Sequence, residues 1–169
     1  MLNSNQKNGF TLIELVVVMF LFGIMLSFTI PRFQDAIETD KTNKFSRWLM
    51  LKGQALKESA LRGKTRYTLH IGMDSGTLWV SNESMTEEAI LELEENGYKL
   101  PEDLRVLDVE YPEKGIVSMG RADICFYKNG YSDKVLIHIE DDDGNQRTFL
   151  IEPFLSKIKR YEEYVGFEG

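Results

Sequence analysis

The chain has 169 residues, 43% apolar and 28% charged, a balance that excludes a disordered chain and suits one domain of ordinary size behind any N-terminal segment. Its formal net charge of −7 argues against a nucleic-acid-binding surface, so no nucleic acid is expected as a partner. A single cysteine, Cys125, excludes an intramolecular disulfide and, flanked by Ile124 and Phe126, reads as a buried thiol.

Residues 10–30 carry one charge, Glu14, in an otherwise apolar run. As a helix they would extend about 31 Å, enough to cross a hydrocarbon core of about 30 Å, so a membrane-spanning first half is expected. The run is too long for the apolar region of a signal peptide, and no Ala-x-Ala-like site follows it. A plain membrane anchor leaves Glu14 unexplained, and 21 nearly uninterrupted apolar residues are excessive for a buried core helix. Gly23 fits either close helix approach or the ordinary tolerance of glycine in such helices. Pro31 removes a backbone donor just past the run, and the polar continuation predicts a kink there.

Residues 7–15, Lys-Asn-Gly-Phe-Thr-Leu-Ile-Glu-Leu, resemble the processing site of type IV pilins and of the pseudopilins of type II secretion systems. The resemblance implies a leader, residues 1–9, that prepilin peptidase removes after Gly9, and N-methylation of the new terminus at Phe10. It makes Glu14 the family's buried glutamate, one helical turn from Phe10 and able to pair with the Phe10 amine of a neighbouring subunit in a filament. Pro31 falls where such helices are kinked or locally melted. The implied domains are 10–30 as transmembrane and filament-core helix, 31–63 as its amphipathic continuation, and 64–169 as a β-rich periplasmic domain.

From residue 31 to Gly63, Phe33, Ile37, Phe45, Trp48, Leu49, Leu56 and Ala60 recur mostly at helical spacing, with Gly63 as the expected C-cap. The period then shortens to that of strands. Tyr67, Leu69 and Ile71 share one face, residues 72–76 form a hairpin turn, and residues 77–81 return. Ser84-Met85-Thr86-Glu87 resembles a capping box for a short helix through Glu95, stopped by Gly97. Its acids, Glu87, Glu88, Glu92, Glu94 and Glu95, read as a solvated surface. Further strands are predicted at 104–111, 122–127, 134–140, 146–151 and 158–164, with turns at 128–130 and 141–145. Short connections make this part antiparallel.

The fold class is therefore α+β and pilin-like, a long N-terminal helix packed on an antiparallel β-sheet domain. The order of helix, hairpin, middle insertion and C-terminal hairpins is similar to the H-type minor pseudopilin of type II secretion. That resemblance implies a subunit of the periplasmic pseudopilus, near its tip, that helps export folded proteins. It implies as partners other major and minor pseudopilins, prepilin peptidase, the inner-membrane assembly platform and the lipid bilayer, with a single-pass inner-membrane stage before assembly. The alternative is a minor type IV pilin that primes pilus assembly or DNA uptake.

Candidate chemistry is sparse. Asp141, Asp142, Asp143 and Asn145 place oxygens in one turn, but the run is too short for an EF-hand and reads as a solvated turn, so no metal is expected. His70 and His138 are isolated in predicted strands. No nucleophile motif, Walker loop, dinucleotide-binding glycine turn or Cys-x-x-Cys is present, so neither a cofactor nor enzymatic activity is expected.

Overall fold

The computed structural model describes residues 11–155 and 157–167, with side chains described outside 26–41. Gly9 and Phe10 lie outside the described residues, as do the side chains of Pro31, Phe33 and Ile37. The chain divides into two compact units, Met1–Asp40 and Lys41–Gly169. The element order is helix α1 (Leu12–Gly63), strands β1 (Tyr67–Gly72) and β2 (Thr77–Asn82), helix α2 (Glu87–Glu95), then β3 (Tyr98–Lys99), β4 (Leu104–Tyr111), β5 (Gly115–Val117), β6 (Arg121–Phe126), β7 (Val135–Asp141), β8 (Gln146–Ile151) and β9 (Lys159–Tyr161).

The expectation of a membrane-spanning first half is corrected. Among the described residues no helix is long and apolar enough to cross a membrane. The apolar part of α1 includes the acid Glu14, and from Arg32 onward the same helix is charged. The transmembrane assignment and the single-pass inner-membrane placement fall with it.

In the second unit, Phe45, Leu49, Leu56 and Ala60 of α1 are buried along one helical stripe, as their spacing predicts. Gly53 completes the stripe, since a Cβ there would lie 3.0 Å from Ile158 Cδ1. Trp48 is half-buried and stacks on Tyr98 at 4.0 Å, while Phe45 meets Phe149 edge-on at 5.8 Å. These contacts reach both sheets, and a single apolar core joins α1 to them.

Every strand pair is antiparallel, but the strands form two sheets rather than one, in the orders β3-β2-β1-β6 and β5-β4-β7-β8-β9. The turn at residues 128–130 is present, with Gly130 N–H donating to the Tyr127 carbonyl at 2.9 Å. It closes only a short antiparallel bridge, Phe126 to Ser132, with Asp133 N–H donating to the Cys125 carbonyl at 2.9 Å; beyond it β6 pairs with β1 in the first sheet and β7 with β4 and β8 in the second. The chain thus crosses from one layer to the other there. Leu69, Ile71, Leu78, Ile124 and Phe126 face inward from the first sheet, and Ile137, Ile139, Phe149 and Ile151 from the second.

A register shift between Val106 and Asp108 resets the alternation of β4. Leu104 and Val106 point to the core before it and Val109 and Tyr111 after it. The shift turns Asp108 and Glu110 to the outer face.

Two local details differ from expectation. The left-handed residue after α1 is Lys64, at φ 48°, while Gly63 stays helical. A left-handed conformation is costly for a side-chain-bearing residue. Lys64→Gly is expected to stabilise the protein by about 0.5–1 kcal/mol, less than the strain relieved because glycine also loosens the unfolded chain; a thermal melt raised by roughly 2–4 °C would show it. The cap of α2 is Thr86, whose Oγ1 accepts from Ala89 N–H at 3.4 Å, not Ser84. Ser84 instead donates its N–H to Asn82 Oδ1 at 2.9 Å in the turn leaving β2, which delays the helix by two residues. Gly97 follows α2 because the backbone passes close to β2: a Cβ there would lie 2.6 Å from Thr77 Cγ2 and 2.8 Å from the Leu78 carbonyl oxygen.

Candidate assembly surface

Helix α1 opens with a capping box that the sequence reading passed over. Thr11 Oγ1 accepts from Glu14 N–H at 3.3 Å, and Glu14 Oε2 accepts from Thr11 N–H at 3.5 Å. The Thr-x-x-Glu spacing ahead of an apolar run was the available signal. It satisfies two otherwise orphaned donors and places a carboxylate at the positive end of the helix. Glu14 therefore has a local role whatever else it does. Behind it, every large apolar side chain in residues 12–25 is exposed, Leu12 at 82% and Phe20 at 68% among them. Contiguous apolar surface on this scale marks a surface that another molecule covers.

The two histidines are the centres of polar networks on the outer faces of the sheets. His70 donates from Nδ1 to Asp123 Oδ1 at 2.7 Å, hydrogen-bonds Ser81 Oγ through Nε2 at 2.7 Å, and stacks on Trp79 at 5.2 Å. A Ser-His-Asp order suggests nucleophilic catalysis, but Ser81 is only 6% exposed, so a substrate carbonyl has no access to its hydroxyl. The three residues instead tie β2, β1 and β6 together. Burial tends to raise the Asp123 pKa, but the hydrogen bond and charge of His70, with Arg121, outweigh it and hold the carboxyl below its ordinary range.

His138 is fully buried. It donates from Nδ1 to Asp108 Oδ1 at 2.6 Å and from Nε2 to the Val165 carbonyl at 3.0 Å, beneath the Tyr164 ring at 3.8 Å. Thr148 Oγ1 donates to the Glu163 carbonyl at 2.7 Å and accepts from Val165 N–H at 3.0 Å, and Phe167 N–H donates to Glu110 Oε1 at 3.2 Å. The C-terminal segment is thereby strapped across the outer face of the second sheet. The sequence showed neither network, because His70 and Asp123 are 53 residues apart and His138 and Asp108 are 30 apart.

A third feature joins α1 to the surface. The Lys57 ammonium donates to the carbonyls of Glu152 at 2.8 Å, Pro153 at 3.3 Å and Leu155. Burial lowers the Lys57 pKa from its ordinary value, and the Glu152 charge offsets part of that. The clamped loop holds Phe154 outward, 86% exposed, at the lip of a trough of about 390 Å³ lined by Tyr111, Pro112, Tyr131, Pro153, Lys114 and Lys134, among others.

The acidic turn is occupied by protein groups. Asp141 accepts from Asn145 N–H at 2.8 Å, Asn145 Nδ2 at 3.1 Å and Arg147 Nη1 at 2.9 Å, and no metal-ligating cluster is found among the described residues. Burial raises the Asp141 pKa, but the Asn145 and Arg147 contacts together hold it below the ordinary carboxylate value. A depressed folded-state pKa means that the unfolded chain binds more protons as pH falls past about 4. The stabilisation is present above that pH and is lost as pH falls through the folded-state pKa. In Asp141→Asn, the decline in melting temperature between about pH 5 and pH 2 is expected to be shallower than in the native chain; an unchanged slope would remove Asp141 from the account.

Comparison with known proteins bears on the N-terminal segment and on the fold. Residues 4–30 match the prokaryotic N-terminal methylation motif, a stretch that includes Gly9, Phe10 and Glu14. The chain is 36% identical over 61 residues to the type IV major alpha-pilin of Moraxella bovis, and 34% identical over 61 residues to fimbrial protein Q of the same organism. Each match covers 36% of this chain, and 38% and 39% of those proteins, so the chain spans well under half the length of these relatives. A crystal structure of the minor pseudopilin EpsH of the Vibrio cholerae type II secretion system superposes with a TM-score of 0.50 at 14% identity, over 75% of this chain and 97% of that one.

The fold is pilin-like, and the N-terminal segment carries the methylation motif. The sequence matches support this at the N-terminal motif and in the pilins, and the superposition supports it for the fold. The exposed apolar part of α1 and the methylation motif occupy the same segment.

Proposed function

We propose that this chain is a minor pseudopilin, a structural subunit that assembles with other major and minor pseudopilins into the pseudopilus of a type II secretion system and helps export folded proteins. The observation that carries the reading is the exposed apolar run of residues 12–25, opened by the Thr11–Glu14 cap, within the methylation-motif match. Assembly through α1 would bury that run against the same segment of neighbouring subunits. In this reading prepilin peptidase cuts after Gly9, Phe10 becomes the methylated terminus, Glu14 pairs with the amine of an adjacent Phe10, and Pro31 kinks the helix. Mass spectrometry of the protein purified from its own host tests the first step. An N-methylated Phe10 terminus is expected, and an intact Met1 defeats the proposal.

A second reading, a minor type IV pilin that primes pilus assembly, is favoured by the identity of the sequence relatives, a type IV major pilin and a fimbrial protein. Deleting the gene separates the two: loss of exoprotein export with normal surface pili supports the secretion role, and loss of pili with normal export supports the other.

A further inference from the structure

Asp108, His138 and Thr148 stand opposite one another on β4, β7 and β8, in one row across the outer face of the second sheet. All three are buried, although they face away from the core. Residues 163–167 cover them. That segment lies beyond the last strand, and among the described residues no backbone–backbone hydrogen bond ties it to the sheet. Its main chain is held by side chains instead. Thr148 Oγ1 donates to the Glu163 carbonyl and accepts from Val165 N–H, His138 Nε2 meets the Val165 carbonyl, and Glu110 Oε1 accepts from Phe167 N–H. These bonds fall on residues 163, 165 and 167, the period of an extended chain, and they engage atoms that any sequence carries. Residues 164 and 166, between them, add selectivity. The Tyr164 ring lies on the His138 imidazole at 3.8 Å, with its hydroxyl 3.3 Å from Asp108 Oδ2. Gly166 passes so close to Glu110 that a Cβ there would lie 3.2 Å from Oε2. Main-chain bonds at alternate residues, with side-chain selection between them, are how proteins bind extended peptides.

The covering segment is shallowly rooted. None of residues 162–167 is buried, and none belongs to the apolar core. The floor beneath is mainly polar, made of Asp108, Glu110, His138 and Thr148, with Leu136 and Leu150 in the next row. Baring that floor exposes groups that water can hydrogen-bond and at most two apolar side chains. Lifting the segment therefore forfeits far less hydrophobic stabilisation than lifting a core strand.

We infer that the row of Asp108, His138 and Thr148, with Glu110, is a binding site for an extended peptide of the pattern aromatic-x-Gly. Residues 163–167 are its resident ligand, a strap that detaches without unfolding the two-sheet domain. While attached, the strap closes the site to other extended segments, because a tethered ligand acts at an effective concentration of about millimolar. Nothing in this depends on assembly through α1, so a failure here and a failure of N-terminal processing are separate results.

The test uses full chains in detergent and a fluorescent peptide of residues 162–167, blocked at both ends. Gly166→Asp sets a second carboxylate against Glu110 and should eject the strap. Tyr164→Ala, at a position 41% exposed, should release it without added charge. In both chains hydrogen exchange should show the amides of Val165 and Phe167 unprotected and those of β1 and β7 as protected as in the native chain. By fluorescence anisotropy, both should bind the peptide at least about tenfold more tightly than the native chain, whose site is filled. A peptide carrying Tyr164→Ala should bind at least about tenfold more weakly, and Thr148→Val added to Gly166→Asp should weaken binding at least about fivefold. Equal binding by native and released chains, no binding by either released chain, or indifference to the peptide tyrosine overturns the site. Loss of β7 protection together with the strap in both chains, or a strap still protected in both, overturns the detachable strap.

Discussion

Glu14→Gln is expected to leave the start of α1 intact and yet fail to co-assemble with partner subunits. Glutamine fills the third helical position of a capping box as glutamate does, so the reciprocal bonds between Thr11 and residue 14 survive the change. What it removes is charge. If Glu14 pairs with the Phe10 amine of a neighbour inside a packed bundle, losing one partner leaves the other buried and uncompensated, at a cost of about 3–5 kcal/mol. At 1.4 kcal/mol per factor of ten, incorporation should fall by at least about 100-fold in a co-assembly assay. Glu14→Ala should fall as far and in addition lose the bond that Thr11 N–H donates to Glu14 and the carboxylate at the helix start, about 0.3–1 kcal/mol of helix stability visible as slightly reduced helicity, while the Thr11 Oγ1 bond to the residue 14 N–H remains. Normal incorporation of Glu14→Gln would reduce Glu14 to a capping residue. The Gln variant is the informative one, because alanine alone cannot separate the cap from the charge.

The second large effect is expected at the base of the C-terminal strap. His138→Ala should destabilise the protein by about 3–5 kcal/mol, because it leaves Asp108 nearly buried with only the Tyr164 hydroxyl, at 3.3 Å, as donor and the Val165 carbonyl without its partner. The melting temperature should fall by on the order of 10 °C. Asp108→Ala should cost a similar amount, and the double variant much less than the sum, since the two changes remove one interaction. Hydrogen exchange provides an independent readout: the amides of Val165 and Phe167, held by Thr148 and Glu110, should exchange faster in His138→Ala than those of β1 and β2. Additive losses, or an unchanged strap, would mean that His138 acts through packing against Tyr164 alone.

Short-range features of this fold can be read in the chain. The stripe of Phe45, Leu49, Leu56 and Ala60 marks the buried side of a helix, and Tyr67, Leu69 and Ile71 one face of a strand, because helical and strand periods place side chains before any partner is known. The turns at 72–76, 128–130 and 141–145 are visible for the same reason. The candidate site was legible at Glu14, as an acid where none was wanted, although its capping bond to Thr11 was overlooked despite the spacing that signals it.

Features that depend on distant partners could not be read. A glycine turn between two alternating segments specifies a reversal of direction, but whether the strands pair or part into different sheets depends on which other strands compete for their edges. Here β1 takes β6 and β4 takes β7. The register shift in β4 follows from the need to keep Val106 and Val109 both inward, and it turns Asp108 to face His138. Lys57 reads as one more surface cation until the loop at 152–155 folds back to supply three carbonyls. Periodicity, capping spacing and turn chemistry lie within a few residues and belong to the sequence. Sheet membership, the His–Asp pairs and the exposed trough arise from contacts between residues tens of positions apart, where burial rather than local propensity chooses the partner.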